Sequence, residues 1–397
     1  MKRVAVVMFG LVLLALVVRL EGLGRGLWYD ERFTLACFAD APAHLLAQKQ
    51  ANNHPLASLL ALGARQVSED PRILRAPFAL LGALSVLAIG WLAGRAGRRA
   101  AVAAALLALV HPAHVAFSQE VRGYGPLLLL VPLVTKLSLD GGRPRLLAVL
   151  VALGLLAHLT IVPLVLALGL LALRERRRDT LGALAVGLVL GLLVLAPTFS
   201  HLSALARQGA SGPDSLVDSA VLLATCDARL VHPAFALPFL ALVLLGACAA
   251  PRLALVTLGA ALLLVVAVLV AHPVYYARFG LFLLPLLLAL AGEGAASLAR
   301  GRRAVLVVAP LVAVFAVAAA RRAPLETEPI GPALAFVRKQ DPAARVRFIG
   351  LGADLLESAP DPTYELDLAP HGRTPPGGTV FEGLYIDVRV VPIPRAH

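Results

Sequence analysis

The chain has 397 residues, 59% hydrophobic and 15% charged, with a mean hydropathy of +0.83. Soluble domains hold about 45–50% apolar and about 25% charged residues, and no water-soluble globule hides this much apolar surface. A disordered protein, a disulfide scaffold and an ordinary cytosolic enzyme are therefore excluded. The 36 basic residues outnumber the 24 acidic ones by 12, but they gather in short clusters between apolar runs. That is the pattern of loops facing anionic lipid, not of a nucleic-acid-binding surface.

Lys2 and Arg3 precede the apolar run 4–18, which ends in Arg19, Leu20 and Glu21 without a small-x-small cleavage site. It reads as an uncleaved signal anchor with its basic end inside. Further apolar stretches lie at roughly 76–94, 100–117, 124–139, 145–160, 161–173, 180–197, 233–250, 253–271, 274–298 and 304–320. Together they predict an all-α polytopic membrane protein of about eleven transmembrane helices. Charge supports the order. Arg95, Arg98 and Arg99, then Arg143 and Arg145, Arg174 to Arg178, Arg252, and Arg300 to Arg303 fall in every second turn, the inner ones; the alternate turns hold few basic residues.

The stretch 54–67 is too short to cross about 30 Å of hydrocarbon, and counting it as a span would invert every later loop. It is expected as a juxtamembrane or re-entrant segment within a long, structured first outer loop, residues 20–75. Asp40 and Pro42 predict a helix start before 43–50. Residues 1–320 thus form a transmembrane module. After Ala320 proline and charge increase, and 321–397 reads as a small outer α/β domain or tail, with a helix at 331–340 and strands at 345–350 and 379–391.

Chemistry in such a chain is sought among polar residues at the membrane edge, and four groups stand on the outer side. Leu27 to Thr34 sets the carboxylates Asp30 and Glu31 among aromatics just past the first span. The pair serves either as a general base on a hydroxyl or as solvated charge beside an interfacial aromatic belt. Asn52, Asn53, His54, Pro55 and Leu56 form either a site element or a turn before a membrane-dipping helix. Ser118-Gln119-Glu120-Val121-Arg122-Gly123-Tyr124 is denser in functional groups than a plain turn between spans. Tyr275-Tyr276-Ala277-Arg278-Phe279 enters the tenth span, with an arginine that either snorkels or holds a phosphate oxygen. His158 stands alone in a short turn and reads as structural. His54, His111, His114, His158 and His272 share the outer side, so a divalent metal is conceivable, though no HExxH or CxxC spacing supports one. Cys37, Cys226 and Cys248 read as small buried side chains.

Taken together these groups resemble the GT-C superfamily of polyprenyl-phosphate-sugar-dependent glycosyltransferases, of the protein O-mannosyltransferase and aminoarabinose transferase type. Leu27-Trp28-Tyr29-Asp30-Glu31 resembles their LWxDE signature. Asn53-His54-Pro55-Leu56 resembles HPPL with Leu56 in place of the second proline. Ser68-Glu69 through Arg75-Ala76-Pro77 is similar to SE…RLPS. Ser118 to Tyr124 resembles SQEARxY, and Tyr276 to Phe279 with Pro285 resembles a late RY…P element. The likeness covers roughly residues 1–300.

The resemblance implies an inverting hexosyl- or pentosyltransferase of the cell inner (plasma) membrane. It would move a sugar from a polyprenyl-phosphate carrier to a lipid, glycan or protein hydroxyl at the extracytoplasmic face. Asp30 is then the expected base, with Glu31 assisting or orienting. His54, Glu120, Arg122, Tyr124, Tyr276 and Arg278 are expected at substrate, Glu120 at substrate or metal. No nucleotide sugar or ATP is needed at that face. A polytopic transporter or lipid flippase is the alternative; it would carry repeats, or broken spans with polar groups at the midplane. Only Lys2, Lys49, Lys136 and Lys339 are lysines, a usage associated with GC-rich bacterial genomes.

Overall fold

The computed structural model describes residues 2–39, 53–95, 97–199, 216–225, 233–271, 276–298, 303–322, 330–341, 344, 346–350, 364–370, 379–381 and 386–392. The helix expected at 43–50 lies outside the described residues, as do His272 and Tyr275. In chain order the helices are α1 (Lys2–Leu20), α2 (Tyr29–Cys37), α3 (Pro55–Arg65), α4 (Pro71–Ala93), α5 (Arg98–Val110), α6 (Pro112–Phe117), α7 (Tyr124–Asp140), α8 (Pro144–Ala157), α9 (Val162–Arg174), α10 (Arg178–Leu195), α11 (Leu216–Thr225), α12 (Ala236–Ala249), α13 (Pro251–Ala271), α14 (Leu284–Ser297), α15 (Arg303–Arg322) and α16 (Ile330–Gln340). Among the described residues, four helical segments are long and apolar enough to cross a membrane: Pro71–Ala93, Arg178–Thr198, Pro251–Val270 and Ala277–Ser297. Val6–Leu20, Pro144–Ala157, Leu159–Arg174, Ala236–Ala249 and Val308–Arg321 are shorter apolar helices beside them. Leucines and valines such as Leu170, Leu193, Leu244 and Val266 point outward, as lipid solvation requires. This is a transmembrane-helix protein.

Two expected spans differ in detail. The stretch 100–117 is broken at His111, which takes an extended ψ of 121° between α5 and α6. Pro112 is the cause, because it disfavours helical geometry in the residue before it and opens a new helix well at N1. The stretch 274–298 enters through a 3-10 segment, Ala277–Leu283, before α14 begins with Pro285 in its first turn. Arg278 therefore stands on the tighter segment.

Small residues set the closest packing. A Cβ on Gly246 of α12 would lie 1.8 Å from the Leu290 carbonyl oxygen, and one on Gly294 of α14 would lie 1.9 Å from that of Leu242. These two helices touch backbone to backbone, as small-residue pairs allow in a bilayer. The segment ending in α14 is 83% buried against 28% for α13, so α14 runs through the centre and α13 along the lipid face. Turns sort by charge to two ends. Arg95 after α4 pairs with Asp140 of α7, and Arg252 of α13 with Glu175 after α9. Asp30, Arg75, Arg122 and Arg278 meet at the other end.

At that end α3 is 11 residues long, roughly 16 Å, and cannot span. It packs on α2 and α4 through Leu35, Ala57, Ala61 and Phe78, with Val121 closing the cluster. Beyond α15, α16 joins a four-stranded sheet of β1 (Val346–Gly350), β2 (Tyr364–Pro370), β3 (Thr379–Phe381) and β4 (Ile386–Pro392). The strand order is β1-β2-β4-β3, with β1 and β2 parallel and the other pairs antiparallel. Ala333, Val337, Leu366, Val388 and Val390 form its core, and Tyr29 of α2 packs against it. Sequence reasoning overlooked β2, although Tyr364-Glu365-Leu366-Asp367-Leu368 alternates with period two.

Candidate active site

The two adjacent carboxylates of α2 do different things. Glu31, third residue of the helix, turns back so that Oε2 accepts from the Trp28 N–H at 3.2 Å. Arg75, from the first turns of α4, grips the same carboxylate with both arms of its fork, Nε to Oε1 at 2.9 Å and Nη2 to Oε2. The Val121 N–H adds a further bond to Oε1 at 2.9 Å. Arg75 also donates to the carbonyls of Leu23 and Gly26, at 2.9 and 3.0 Å, and to that of Arg25. Both side chains are almost fully enclosed, 1% and 0% exposed. Glu31 thus ties together the loop after α1, the start of α4 and the turn after α6.

Asp30 lies about 100° round the helix from Glu31 and faces a different set of partners. Its Oδ2 accepts from Arg278 Nη2 at 2.8 Å, and Arg122 Nη2 stands 3.7 Å away. Arg122 is aimed by its neighbours, donating to Thr34 Oγ1 at 3.3 Å and to His54 Nε2 at 3.2 Å. Thr34 passes its own proton to the Asp30 carbonyl at 2.9 Å. The Arg278 guanidinium lies 5.2 Å from the Trp28 ring centre and 4.6 Å from that of Tyr276, two aromatic faces that favour a cation. Two guanidinium groups thus flank this carboxylate, and each can also grip an anion.

Beside this charge stands a wall of rings. His54 stacks on His158 at 4.4 Å, and His158 on Tyr124 at 5.2 Å. Phe279 meets His158 edge-on at 5.9 Å, and Phe117 meets Tyr124 at 5.3 Å. Burial, and then the charges of Arg122 and Arg278, push His158 down to about 3. Burial first, followed by His158, Arg122 and Arg278, holds His54 well below its ordinary value. Both rings are neutral at neutral pH, and a His54 Nε2 that accepts from Arg122 leaves the proton on Nδ1. Gly123 makes the arrangement possible, because a Cβ there would lie 1.8 Å from the Ala157 carbonyl oxygen. The turn carrying Glu120 and Arg122 consequently rests directly on the end of α8.

Of the residues expected at the site, Asp30, His54, Arg122, Tyr124, Tyr276 and Arg278 come together here. Glu120 is buried in the same turn, 3% exposed. Glu31 serves the scaffold. His158, read as a structural histidine, is packed into the wall itself. Arg75, Trp28 and Thr34 received no role from the sequence, although Arg75 and Trp28 lie inside motifs quoted for the resemblance.

Among the described residues no three His, Cys, Asp or Glu side chains converge into a ligand set for a metal. Two guanidinium groups beside Asp30 would also repel a dication. Among the described residues, the groups beside Asp30 do not form a metal centre.

Neither a family model nor a curated protein matches the sequence. Among solved structures the chain is similar to ArnT from Cupriavidus metallidurans in the apo state, with a TM-score of 0.58 and 15% identity over 88% of this chain and 83% of that one. It is also similar to the Archaeoglobus fulgidus oligosaccharyltransferase in complex with Zn and sulfate, with a TM-score of 0.51 and 14% identity over 84% of this chain and 55% of that one. Both are GT-C superfamily glycosyltransferases. At such identities the likeness is one of fold: this chain shares the fold of these two proteins.

Proposed function

We propose that this chain is an inverting glycosyltransferase that takes a sugar from a polyprenyl-phosphate carrier and places it on an acceptor hydroxyl at the extracytoplasmic face of the plasma membrane. The observation that carries this reading is Asp30, a buried carboxylate held between two guanidinium groups beside a ring wall, at the end of an apolar helical bundle that shares the fold of those two proteins. Asp30, the two guanidinium groups and the rings gather at that end, which favours an enzyme, while Arg19, Ser85 and His114 form a second buried polar cluster deeper against α4.

The geometry suggests how the parts divide the work. Arg278 holds Asp30 through Nη2, so a donor phosphate gripped by both arms of its fork competes with Asp30 for it. When Arg278 turns to the phosphate, Asp30 becomes free to accept a proton. The acceptor O–H then loses its proton to Asp30 as its oxygen forms a bond to the anomeric carbon, and the bond from that carbon to the phosphate oxygen breaks on the opposite face. Single displacement inverts the centre. Charge grows on the departing polyprenyl phosphate, where preorganised Arg122 and Arg278 stabilise it most. The neutral rings of His54, His158 and Tyr124 back the site without competing for the proton. Glu31 and Arg75 act by positioning.

Lipid-linked sugars extracted from cells lacking the protein and from parent cells test the reading. One polyprenyl-phosphate sugar should accumulate in the former, and the purified protein should release polyprenyl phosphate from it. Identical profiles together with no release would overturn the proposal.

A further inference from the structure

At the end of the bundle opposite Asp30, helices α9, α10 and α13 enclose a groove of about 440 Å³. Its lining is wholly aliphatic or glycine, from Leu173 and Leu181 beside the turn at 175–177 to Val165, Leu188 and Leu263 deeper in the bundle. Val165 and Leu173 are eight residues apart on α9, so the groove runs roughly 12 Å from the end of the bundle toward its middle. Its wholly aliphatic walls suit a hydrocarbon chain.

The mouth is cationic. Arg174 follows Leu173, Arg178 lies one turn before Leu181, and Arg176 stands between them; all three are exposed. No hydrogen bond or ion pair holds any of their side chains among the described residues. Of the nearby acids, Asp179 is exposed beside Arg178, and Glu175 is already engaged by Arg252 and lies 3.8 Å from Arg177, whose Nη1 also donates to the Ser138 carbonyl. Three unpaired guanidinium groups thus stand at headgroup depth, where each can grip a phosphate with two parallel bonds.

We propose that this groove binds one acyl chain of an anionic phospholipid, in the leaflet opposite the reaction site, with its phosphate on Arg174, Arg176 and Arg178. The polyprenyl donor is the wrong occupant, because a carrier whose phosphate sits by Arg278 has its headgroup in the other leaflet. The binding stands on the groove and its arginines; only the exclusion of the polyprenyl donor rests on the reaction proposed above.

Native mass spectrometry of the full purified chain, titrated with phosphatidylglycerol or phosphatidylcholine, tests it. One phosphatidylglycerol should be retained in preference to phosphatidylcholine. A surface arginine strengthens anionic-lipid binding roughly fivefold, so Arg174→Gln with Arg178→Gln should weaken it about thirtyfold. Gly169→Leu fills the groove instead. A Cβ at Gly169 meets only Leu181 Cδ1, at 4.0 Å, so this variant should lose the lipid at an unchanged melting temperature. The two exposed arginine substitutions keep the test decisive if the groove variant fails to fold. Equal retention of the two phospholipids, full binding by the arginine pair variant, full binding by a folded Gly169→Leu, or displacement by polyprenyl phosphate at equal concentration would each overturn the assignment.

Discussion

Arg278 Nη2 and Asp30 Oδ2 meet at 2.8 Å across 248 residues of sequence. The bond joins the start of α2 to the 3-10 segment before α14, and it is the closest of the two cation contacts to that carboxylate, since Arg122 stands at 3.7 Å. In the donor-bound state proposed here the Arg278 guanidinium serves phosphate instead. A charge-assisted hydrogen bond contributes roughly 1.5–3 kcal/mol, so Arg278→Ala should lose about ten- to a hundredfold in affinity for polyprenyl phosphate. Arg278→Lys should fall between, since an ammonium cannot form the bidentate pair. Carrier binding and thermal unfolding measured on the same three proteins separate this role from snorkelling. A snorkelling arginine would let lysine substitute freely, and alanine would then change stability alone.

Asp30→Asn keeps the shape of the side chain and removes the proton acceptor. Turnover should fall by roughly 10²–10⁴-fold, the usual loss when a general base is removed, while the carrier still binds. Single-turnover transfer by the purified variant reads this directly. Near-normal transfer would take the role from Asp30.

Glu31, one residue on, should behave as an anchor. Its carboxylate and Arg75 are buried together, and removing one partner of a buried pair leaves the other uncompensated, at a cost of about 3–5 kcal/mol. Arg75→Met should therefore lower the melting temperature, by a margin far beyond any change from Asp30→Asn. An Arg75→Met protein that unfolds like the parent would show that the clamp does not hold this end together.

These two carboxylates also mark how far the sequence could be read. The run Trp28-Tyr29-Asp30-Glu31 just past an apolar helix was legible as a site, because aromatics and paired acids at a membrane edge are unusual. Which acid serves as base came only from the resemblance, which gave Asp30 with Glu31 assisting or orienting, since neighbours on a helix point about 100° apart and nothing local says which direction is inward. The charge alternation of the turns was legible, and the structure sorts those turns to two ends. The Asp30–Arg278 bond was not, being a product of tertiary packing. Nor was the role of His158: a lone histidine in a turn looks structural until His54 and Tyr124 are seen stacked on either face. Pro112 was visible, yet the apolar residues around it hid the break at His111.

The histidine wall carries the last prediction, one of pH. In the unfolded chain a histidine titrates near 6.5; in the fold His158 is pushed down to about 3, and His54 lies well below its ordinary value. Between those limits the unfolded chain binds more protons than the folded one, so folding stability rises with pH there. The stabilising contribution is therefore complete above about 6.5 and is lost progressively as the pH falls toward 3. Arg122 sharpens the effect at His54, because protonating Nε2 would set two donors against each other at 3.2 Å. Melting temperatures of the parent should hold between pH 7 and 8 and drop below about 6. His158→Phe keeps a ring between His54 and Tyr124 and removes one of the titrating groups, so its melting temperature should fall less steeply over the same range. Parallel acid slopes for parent and variant would mean that His158 takes up its proton without opening the wall.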